Sequence, residues 1–317
     1  MRNPPSSPPL PRAASSHRHE KSQWLFTEPE QNVFNFTEGE VVAAKAAEAG
    51  YYLRCHALVW HSQLAPWVES SSANWTADAL RDAITAHITA VAGHWKGRCY
   101  AWDVVNEALN EDGTYRESVF YNVLGRDYIR HAFEVASSVD PAAKLYYNDY
   151  NLESPGKKSE AAVGIVKTLR AAGVRIDGIG MQAHLTAESH PTLDQHVAVI
   201  KSYADAGVEV ALTELDVRIT LPATEEKLEL QKQAYKNVSF GPVLPSCRGA
   251  CLTFTSSARR GLRPGQGLRR RDALGLLRPL QLGAGRLSWA RRASALVRQL
   301  HSPSGVRRHR RGAEERE

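Results

Sequence analysis

Residues 102–109, which read WDVVNEAL, end an apolar run with an amide and an acid side by side. Residues 100–105 are mostly apolar, which is typical of a strand that is buried on both faces. A strand that only needed solubility would carry its charge in the turn that follows. Because Asn106 and Glu107 close the strand itself, we expect them to have a function at this point.

The same combination of a strand and a following helix recurs from residue 24 to residue 238. Apolar runs predict five strands, at residues 51–60, 100–106, 144–150, 177–184 and 209–214. Helices are predicted at residues 38–49, 76–94, 116–138, 156–172, 192–206 and 224–237. Thr76 and Thr192 are expected to begin helices, and three Ala-Gly pairs, at 49–50, 172–173 and 206–207, are expected to end them. Repeated β-α units predict parallel strands and an α/β fold.

Polar or aromatic side chains stand at the end of every predicted strand. In chain order they are His56, Trp60, His61 and Gln63, then Asn106 and Glu107, then Asn148, Asp149 and Tyr150, then Gln182 and His184, and lastly Glu214 and Asp216. Parallel strands that roll into a (β/α)8 TIM barrel bring these ends to one face, where such barrels carry their active sites. We therefore expect Glu107 to lie at the mouth of a barrel.

Two carboxylates on different strands suit the cleavage of a glycosidic bond. One carboxylic acid protonates the leaving oxygen, while the other carboxylate attacks the sugar carbon or activates water. Trp and Tyr offer flat faces for sugar rings, and amides and imidazoles bind hydroxyl groups as donors and acceptors. His56, His61 and His184 suggest a metal site as an alternative, but a sugar site explains them without an open coordination position. We expect no metal and no cofactor.

Five stretches resemble the strand-end motifs of glycoside hydrolase family 10, the retaining endo-1,4-β-xylanases. They are HALVWHSQ, WDVVNEAL, YNDYN, GIGMQAHL and TELDV, and the match around them covers about residues 24–238, or 215 of the 317 residues. The pattern WxxxNE alone also occurs in related barrel glycosidases, whereas five motifs in this order are specific. The resemblance implies hydrolysis of internal β-1,4-xylosidic bonds in xylan by a retaining double displacement.

The resemblance also implies a role for each matching side chain. It implies that Glu107 is the acid/base and Glu214 the nucleophile, that His184 bonds the nucleophile and that Asp216 supports His184. The other matches correspond to positions that line the sugar subsites near the cleaved bond: His56, Trp60, Gln63, Asn106, Tyr150 and Gln182. In a retaining site the two carboxyl groups lie roughly 5–5.5 Å apart.

Plainer structural interpretations exist for several of these positions. A single Glu after a strand is usually a solvated loop residue, and His184 is also compatible with a core histidine. Trp60 and Tyr150 are compatible with ordinary core aromatics. Asp103, in the middle of its strand, is interpreted as structural.

The chain departs from the family pattern at both ends of the match. The family has Glu-Asn-Glu-Met-Lys-Trp before the stretch at residues 27–36, whereas this chain has EKSQW at residues 20–24. Gln23 stands where a sugar-binding lysine is expected. No first strand and no eighth strand with its tryptophans are recognisable, so we expect an incomplete barrel with strands one and eight missing or replaced. Such a barrel is open along one seam, which predicts little or no xylanase activity until both strands are restored.

The charge of the chain is unevenly distributed. The formal net charge of +6 combines +13 in residues 239–317, which hold 17 Arg and no Lys, with −7 in residues 1–238. We therefore predict three regions: a disordered Pro/Ser/Arg-rich segment at 1–20, a glycoside hydrolase barrel at 21–238, and an Arg-rich tail at 239–317. Dense Arg without Lys indicates a reading-frame change or a misjudged splice junction. The alternative is a basic tail that binds polyanions.

The remaining sequence features bear on location and partners. Four cysteines without zinc-type spacing allow one disulfide bridge at most. No apolar run is long enough to span a membrane, and the first twenty residues contain no apolar signal core. The family resemblance nevertheless implies a secreted protein, and three N-x-S/T sequons, at Asn35, Asn74 and Asn237, agree with it. We expect a monomer that acts on xylan or xylo-oligosaccharides, without a membrane or nucleic-acid partner. A catalytically impaired, truncated or frame-shifted xylanase-like protein is the alternative.

Overall fold

A computed structural model of the protein describes residues 22–70, 74–239 and 252–254. All of them lie in the first of the two units into which the chain divides, Met1–Gly267. The segment 1–20 and nearly all of the Arg-rich tail 239–317 lie outside the described residues. The disorder, the altered reading frame and the polyanion binding proposed for these segments therefore stay predictions.

The described strands form one large parallel sheet and one small one. They are β1 Leu53–Trp60, β2 Cys99–Asn106, β3 Lys144–Asp149, β4 Gly178–Met181, β5 His184–Thr186, β6 Glu209–Leu212, β7 Asp216–Arg218 and β8 Leu252–Phe254. The large sheet has the order β1-β2-β3-β4-β6-β8, and each neighbouring pair is parallel. The small sheet pairs β5 with β7 in parallel. All five predicted strands are confirmed, and the fold is that of a (β/α)8 TIM barrel.

Helices connect the strands of the large sheet. They are α1 Trp24–Thr27, α2 Thr37–Glu48, α3 Pro66–Ser70, α4 Ala77–His94, α5 Val119–Leu124, α6 Asp127–Val139, α7 Lys157–Ala171, α8 Leu193–Asp205 and α9 Glu225–Ser239. The predicted helix starts are confirmed, since the hydroxyl groups of Thr76 and Thr192 accept backbone N–H bonds and cap α4 and α8. Gly50, Gly173 and Gly207 have positive φ just past α2, α7 and α8, as the Ala-Gly pairs predict.

The predicted helix at 116–138 is wrong as a single element. It is divided into α5 and α6 by Gly125, whose φ of 57° and ψ of −156° do not fit a helix. The Ser118 hydroxyl accepts a backbone hydrogen bond and begins α5 only at Val119. Local capping chemistry therefore overrides the helical periodicity of this stretch.

The predicted strands at 177–184 and 209–214 are also shorter than expected. The first ends at Met181, and the chain resumes as β5 only after Ala183, which has φ of 58°. The second ends at Leu212 and resumes as β7 at Asp216. These breaks carry the chain outward from the barrel, so the functional residues between the paired strands lie on irregular backbone.

The eighth strand, which was expected to be missing or replaced, is represented among the described residues by a strand of three residues. Leu252–Phe254 pairs in parallel with β6, in register Val210↔Leu252 to Leu212↔Phe254. It therefore occupies the place next to the strand that leads to Glu214. A strand of three residues needs only a short extended segment with free backbone groups. Among the described residues, β1 and β8 remain the two outer strands of the sheet.

Apolar side chains fill the space between the strands and the helices. The fully buried members of this cluster include Trp95, Trp102, Phe120 and Phe133. Burying a side chain of this size stabilises the fold by about 1.5–3 kcal/mol. One disulfide, between Cys55 on β1 and Cys99 at the start of β2, links two neighbouring strands with a Cα–Cα distance of 5.8 Å. Among the described residues no helix is long and apolar enough to cross a membrane.

Candidate active site

A cavity of about 220 Å³ opens at the carboxyl ends of the strands. Its lining contains eight of the ten predicted site residues together with Gln23: His56, Trp60, Gln63, Glu107, Tyr150, Gln182, His184 and Glu214. The two remaining predicted residues, Asn106 and Asp216, are not part of this lining, but each bonds a member of it. The structure thus brings all ten side chains to one place, although their individual roles remain proposals.

Glu107 is held in a strained but fully bonded conformation. Its φ of 56° lies in the left-handed region, which is costly for a residue with a Cβ. Its N–H donates to the Asn148 carbonyl at 2.9 Å, and its carbonyl accepts from the Arg116 Nε at 2.9 Å. This backbone conformation turns the side chain away from the strand direction and into the cavity.

Within the part of the chain that the structure describes, the donors that contact the Glu107 carboxylate are neutral side chains. Trp60 Nε1 donates to Oε2 at 3.0 Å, while Gln182 Nε2 and Asn106 Nδ2 donate to Oε1 at 2.9 and 3.3 Å. These donors come from β1, the end of β2 and the end of β4. Three strands therefore supply the groups that orient this carboxyl group, and none of these three groups carries a charge.

Glu214 has a different environment across the same cavity. Asn148 Nδ2 donates to its Oε1 at 3.2 Å, and His184 Nε2 bonds its Oε2 at 3.1 Å. Burial by itself would raise the pKa of Glu214, but the hydrogen bond from His184 and the nearby His56 outweigh burial and lower the pKa. Glu214 is therefore kept ionised, as a nucleophile requires.

His184 connects Glu214 to Asp216. The β5–β7 register pairs His184 with Asp216, and the distance from His184 Nδ1 to Asp216 Oδ2 is 2.6 Å. The hydrogen bond to Glu214 raises the pKa of His184, burial opposes this, and the bond to Asp216 adds to it. Since this pKa is raised in the folded state, its contribution to stability is present below about pH 6.5 and is lost as the pH rises through the folded pKa.

Asp216→Asn is expected to lower the pKa of His184, because a neutral amide replaces the carboxylate that stabilises the imidazolium. The pKa of Glu214 should then rise toward its ordinary value. A pH titration of the His184 ring followed by NMR measures the first change. Glu188→Gln is the control, since Glu188 is exposed and lies just beyond β5. An unaltered His184 pKa in the Asp216→Asn variant would contradict the support role.

Asn148 links the two carboxylates, and our sequence analysis did not include it among the site residues. Its Nδ2 donates both to Glu214 and to Asn106 Oδ1, the latter at 3.0 Å. Thr213 Oγ1 donates to Asn148 Oδ1 at 2.8 Å and fixes the amide orientation. The signal was present, since Asn148 ends its strand and stands opposite Asn106 in the β2–β3 register.

A buried ion pair lies beneath the cavity. Arg54 and Asp103 form a salt bridge and their side chains are 6% and 2% exposed. Asp103 Oδ2 also bonds His56 Nδ1 at 3.0 Å. Burial opposes the charged form of His56, but this bond and the Asp103 charge raise the pKa of His56 above its ordinary value. Asp103 is thus a buried structural residue, as expected. It also favours the charged form of His56, which lines the cavity.

Tyr150 is anchored from two sides. Arg116 donates to its hydroxyl at 2.6 Å, and the Lys158 ammonium lies 3.5 Å from the centre of its ring. Lys158 also pairs with Asp149 at 3.0 Å. Burial raises the pKa of Asp149 to about 6, although Lys158 lowers it. Arg116 is a second residue that the sequence did not reveal, because it lies in a loop nine positions after Glu107 without any motif.

The three histidines that were considered for a metal site do not line one recess. His56 and His184 line the cavity, whereas His61 lines an adjoining recess together with Arg116, Ser118 and Tyr128. Burial and Arg116 lower the pKa of His61. Across residues 22–70 and 74–239 no group of three His, Cys, Asp or Glu is placed to hold a metal ion.

A parallel barrel sheet with two carboxylates facing one cavity, among Trp, Tyr, Gln and His side chains, is the arrangement found in glycoside hydrolases. The sequence pattern of glycosyl hydrolase family 10 matches residues 18–243. The chain belongs to this family.

Known members of the family show how much of the domain this chain contains. Endo-1,4-beta-xylanase A of Humicola insolens is 68% identical over 216 residues, which are 68% of this chain and 57% of that protein. A family 10 xylanase from Bispora sp. MEY-1, solved with xylobiose, has a TM-score of 0.67 and 38% identity over 69% of this chain and 68% of its own. The endo-1,4-beta-xylanase of Penicillium canescens has the same TM-score and 42% identity, over 69% and 67% of the two chains. The chain thus spans little more than half the length of the Humicola insolens relative.

Proposed function

We propose that this chain carries the catalytic site of an endo-1,4-β-xylanase, with Glu107 as acid/base and Glu214 as nucleophile. The observation that supports this most strongly is the unequal environment of the two carboxylates. Glu107 is contacted by neutral donors, whereas Glu214 is paired with His184 and its pKa is lowered. Two carboxyl groups in different electrostatic environments are suited to separate acid and nucleophile roles.

The reaction has two steps in this proposal. In the first, a Glu214 oxygen attacks the anomeric carbon while protonated Glu107 gives its proton to the leaving glycosidic oxygen, so that a glycosyl ester forms and the aglycone sugar leaves. In the second, ionised Glu107 takes a proton from water, the resulting hydroxide oxygen attacks the anomeric carbon, and the ester bond to Glu214 breaks. Glu107 ends protonated and Glu214 ionised, as they began.

Xylan is the substrate that the site and the relatives support. Trp60 and Tyr150 contribute aromatic side chains to the cavity lining, and Gln63, Gln182 and His56 offer groups that bind sugar hydroxyls. The Bispora xylanase was solved with xylobiose. Because this chain covers only part of its relatives, the substrate of the whole protein is part of the proposal.

The protein is proposed to be secreted and monomeric. The Cys55–Cys99 disulfide supports an oxidising compartment. Two of the three sequons, at Asn35 and Asn74, are exposed. The third, Asn237, is 9% exposed and donates to the Pro191 carbonyl at 2.9 Å, so a glycan on it would conflict with the fold.

Hydrolysis of a xylo-oligosaccharide is expected to release the β-anomer first, because two displacements at the anomeric carbon restore its configuration. Proton NMR recorded within the first minutes of reaction distinguishes the anomers before they equilibrate in water. The spontaneous interconversion of the same sugar without protein is the control. Initial release of the α-anomer would exclude the nucleophile role of Glu214 and indicate activation of water instead.

A further inference from the structure

One short stretch of backbone carries contacts to both carboxylates. Gln182 donates to Glu107 at 2.9 Å, and His184, two residues later, bonds Glu214 at 3.1 Å. The residue between them, Ala183, is fully buried and has φ of 58°. A left-handed conformation is unfavourable for alanine, so it persists only where the surroundings hold it.

Both backbone groups of Ala183 have a partner. Its carbonyl accepts from the Asp216 N–H at 3.2 Å. Its N–H donates at 2.7 Å to Oε1 of Glu153, a side chain from the loop after β3 that is 3% exposed. A buried carboxyl group that bonds one strained amide has no evident part in the hydrophobic core. It also lies outside the cavity lining.

We propose that Glu153 is a positioning residue of the active site, which holds Ala183 so that Gln182 meets Glu107 and His184 meets Glu214. The inference deepens the proposed function and rests on it for its catalytic consequence. Glu153 itself touches no reacting atom. Its effect passes through one peptide unit to the acid/base on one side and to the nucleophile on the other.

The surroundings of Glu153 agree with a neutral or weakly ionised group at the working pH. Burial raises the pKa of Glu153 to about 7; the Ala183 N–H opposes this, Asp149 adds to it, and His184 opposes it. Two further titratable groups pack nearby, since His196 bonds the Glu153 carbonyl at 3.1 Å and Tyr203 donates to the neighbouring Leu152 carbonyl. Both forms of a carboxyl group, and the amide of glutamine, can accept the Ala183 hydrogen.

The test compares Glu153→Ala with Glu153→Gln. In Glu153→Ala the Ala183 N–H loses its acceptor, and we expect kcat on a xylo-oligosaccharide to fall by about a hundredfold, the scale of a small misplacement. KM should change much less, and the His184 pKa measured by NMR should fall because its bond to Glu214 loosens. Glu153→Gln should restore most of kcat and the His184 pKa. Equal kcat and equal His184 pKa in wild type and Glu153→Ala would overturn the proposal.

The matched control is Asp140→Ala. Asp140 is also fully buried and also accepts a backbone N–H, that of Gly97, but it follows α6 before β3, at the opposite end of the barrel. The Asp140→Ala variant should have a lower melting temperature than the wild type but the same His184 pKa. A His184 shift of equal size in Asp140→Ala would reduce Glu153 to a merely structural role.

Two measurements keep the test independent of folding and of xylanase activity. If Glu153→Ala does not fold, hydrogen exchange at the Ala183 amide is measured in the unaltered protein. An amide that is bonded to Glu153 should be protected from exchange. Exchange at the rate of an open loop would contradict the contact. If the protein hydrolyses no xylan even when family-type segments are restored at both ends, the proposed function fails, while the His184 titration still tests the coupling by itself.

The pH dependence of stability gives a further expected outcome. Since the pKa of Glu153 is raised in the folded state, its contribution to stability is present below about pH 4.5 and is lost as the pH rises through about 7. Glu153→Gln removes this dependence. As the pH rises between these two values, the melting temperature of the variant should therefore increase relative to that of the wild type. A constant difference across this range would show that Glu153 does not titrate as its burial implies.

Discussion

Glu214→Ala is expected to lower kcat on xylan by about four powers of ten or more, the scale seen when a catalytic nucleophile is removed. The carboxylate that would form the glycosyl ester is absent in this variant, and Glu107 alone can only protonate the leaving oxygen. The fall should appear in kcat and in kcat/KM alike, because the lost interaction is made in the transition state. Release of reducing sugar from xylan measures it.

Glu209→Ala is the matched control for this change. Glu209 is the same residue type at the opposite end of the same stretch of chain, where it pairs with Lys144 at 2.6 Å and accepts from the Tyr146 hydroxyl at 3.0 Å. The Glu209→Ala change should alter kcat by less than about tenfold. Glu209 supplies no group to the reaction, and its removal should displace the two site carboxylates only slightly. Comparable losses in both variants would mean that general destabilisation, and not chemistry, explains the result.

The assay needs a measurable starting rate, which the incomplete barrel makes low in our expectation. Each variant is therefore measured in the chain as it stands and in a chimera whose segments before residue 22 and after residue 239 come from the Humicola insolens relative. Activity should rise by several powers of ten in the chimera, because remote sugar contacts supply energy that is used at the reacting centre. Full activity without the added segments would show that they matter little, and a well-folded but inactive chimera would contradict the xylanase proposal.

Asp103→Asn is expected to lower the free energy of unfolding by about 3–5 kcal/mol, because it leaves the buried Arg54 charge without its counter-charge. The two side chains are 6% and 2% exposed, and the contact of the guanidinium with the Tyr146 ring, 4.3 Å from its centre, does not replace a carboxylate. His56 should also titrate at lower pH once the Asp103 charge is removed. Urea unfolding and NMR of His56 measure the two effects.

Two further variants separate the ion pair from simple loss of packing. The double change Arg54→Met with Asp103→Leu removes both charges and should cost less than Asp103→Asn alone, since no unpaired charge stays buried. Asp127→Asn is the surface control; its pairs with Arg130 and Arg81 are partly exposed, and such pairs contribute about 1 kcal/mol or less. A loss of stability in Asp103→Asn no larger than this would refute the buried-charge explanation.

The sequence by itself determined the alternation of strands and helices and the residues at the strand ends. Apolar runs such as 100–105 are stable as strands that are buried on both faces of a parallel sheet. In a parallel barrel the carboxyl ends of all strands lie on one face. For this reason Glu107 and Glu214 could be assigned to one site from their positions alone. Helix caps at Thr76 and Thr192 were equally readable, because a cap depends on residues three positions apart.

Tertiary structure alone decided which groups hold those residues in place. Arg116 fixes the Glu107 carbonyl and Glu153 fixes the Ala183 amide, yet both are charged residues in loops without a motif, and in sequence they look like solvated positions. The backbone at Glu107 and Ala183 is left-handed, a conformation that local preference disfavours and that only long-range contacts stabilise. Periodicity records burial along one segment, whereas the partner of a buried charge is chosen by the packing of segments distant in sequence.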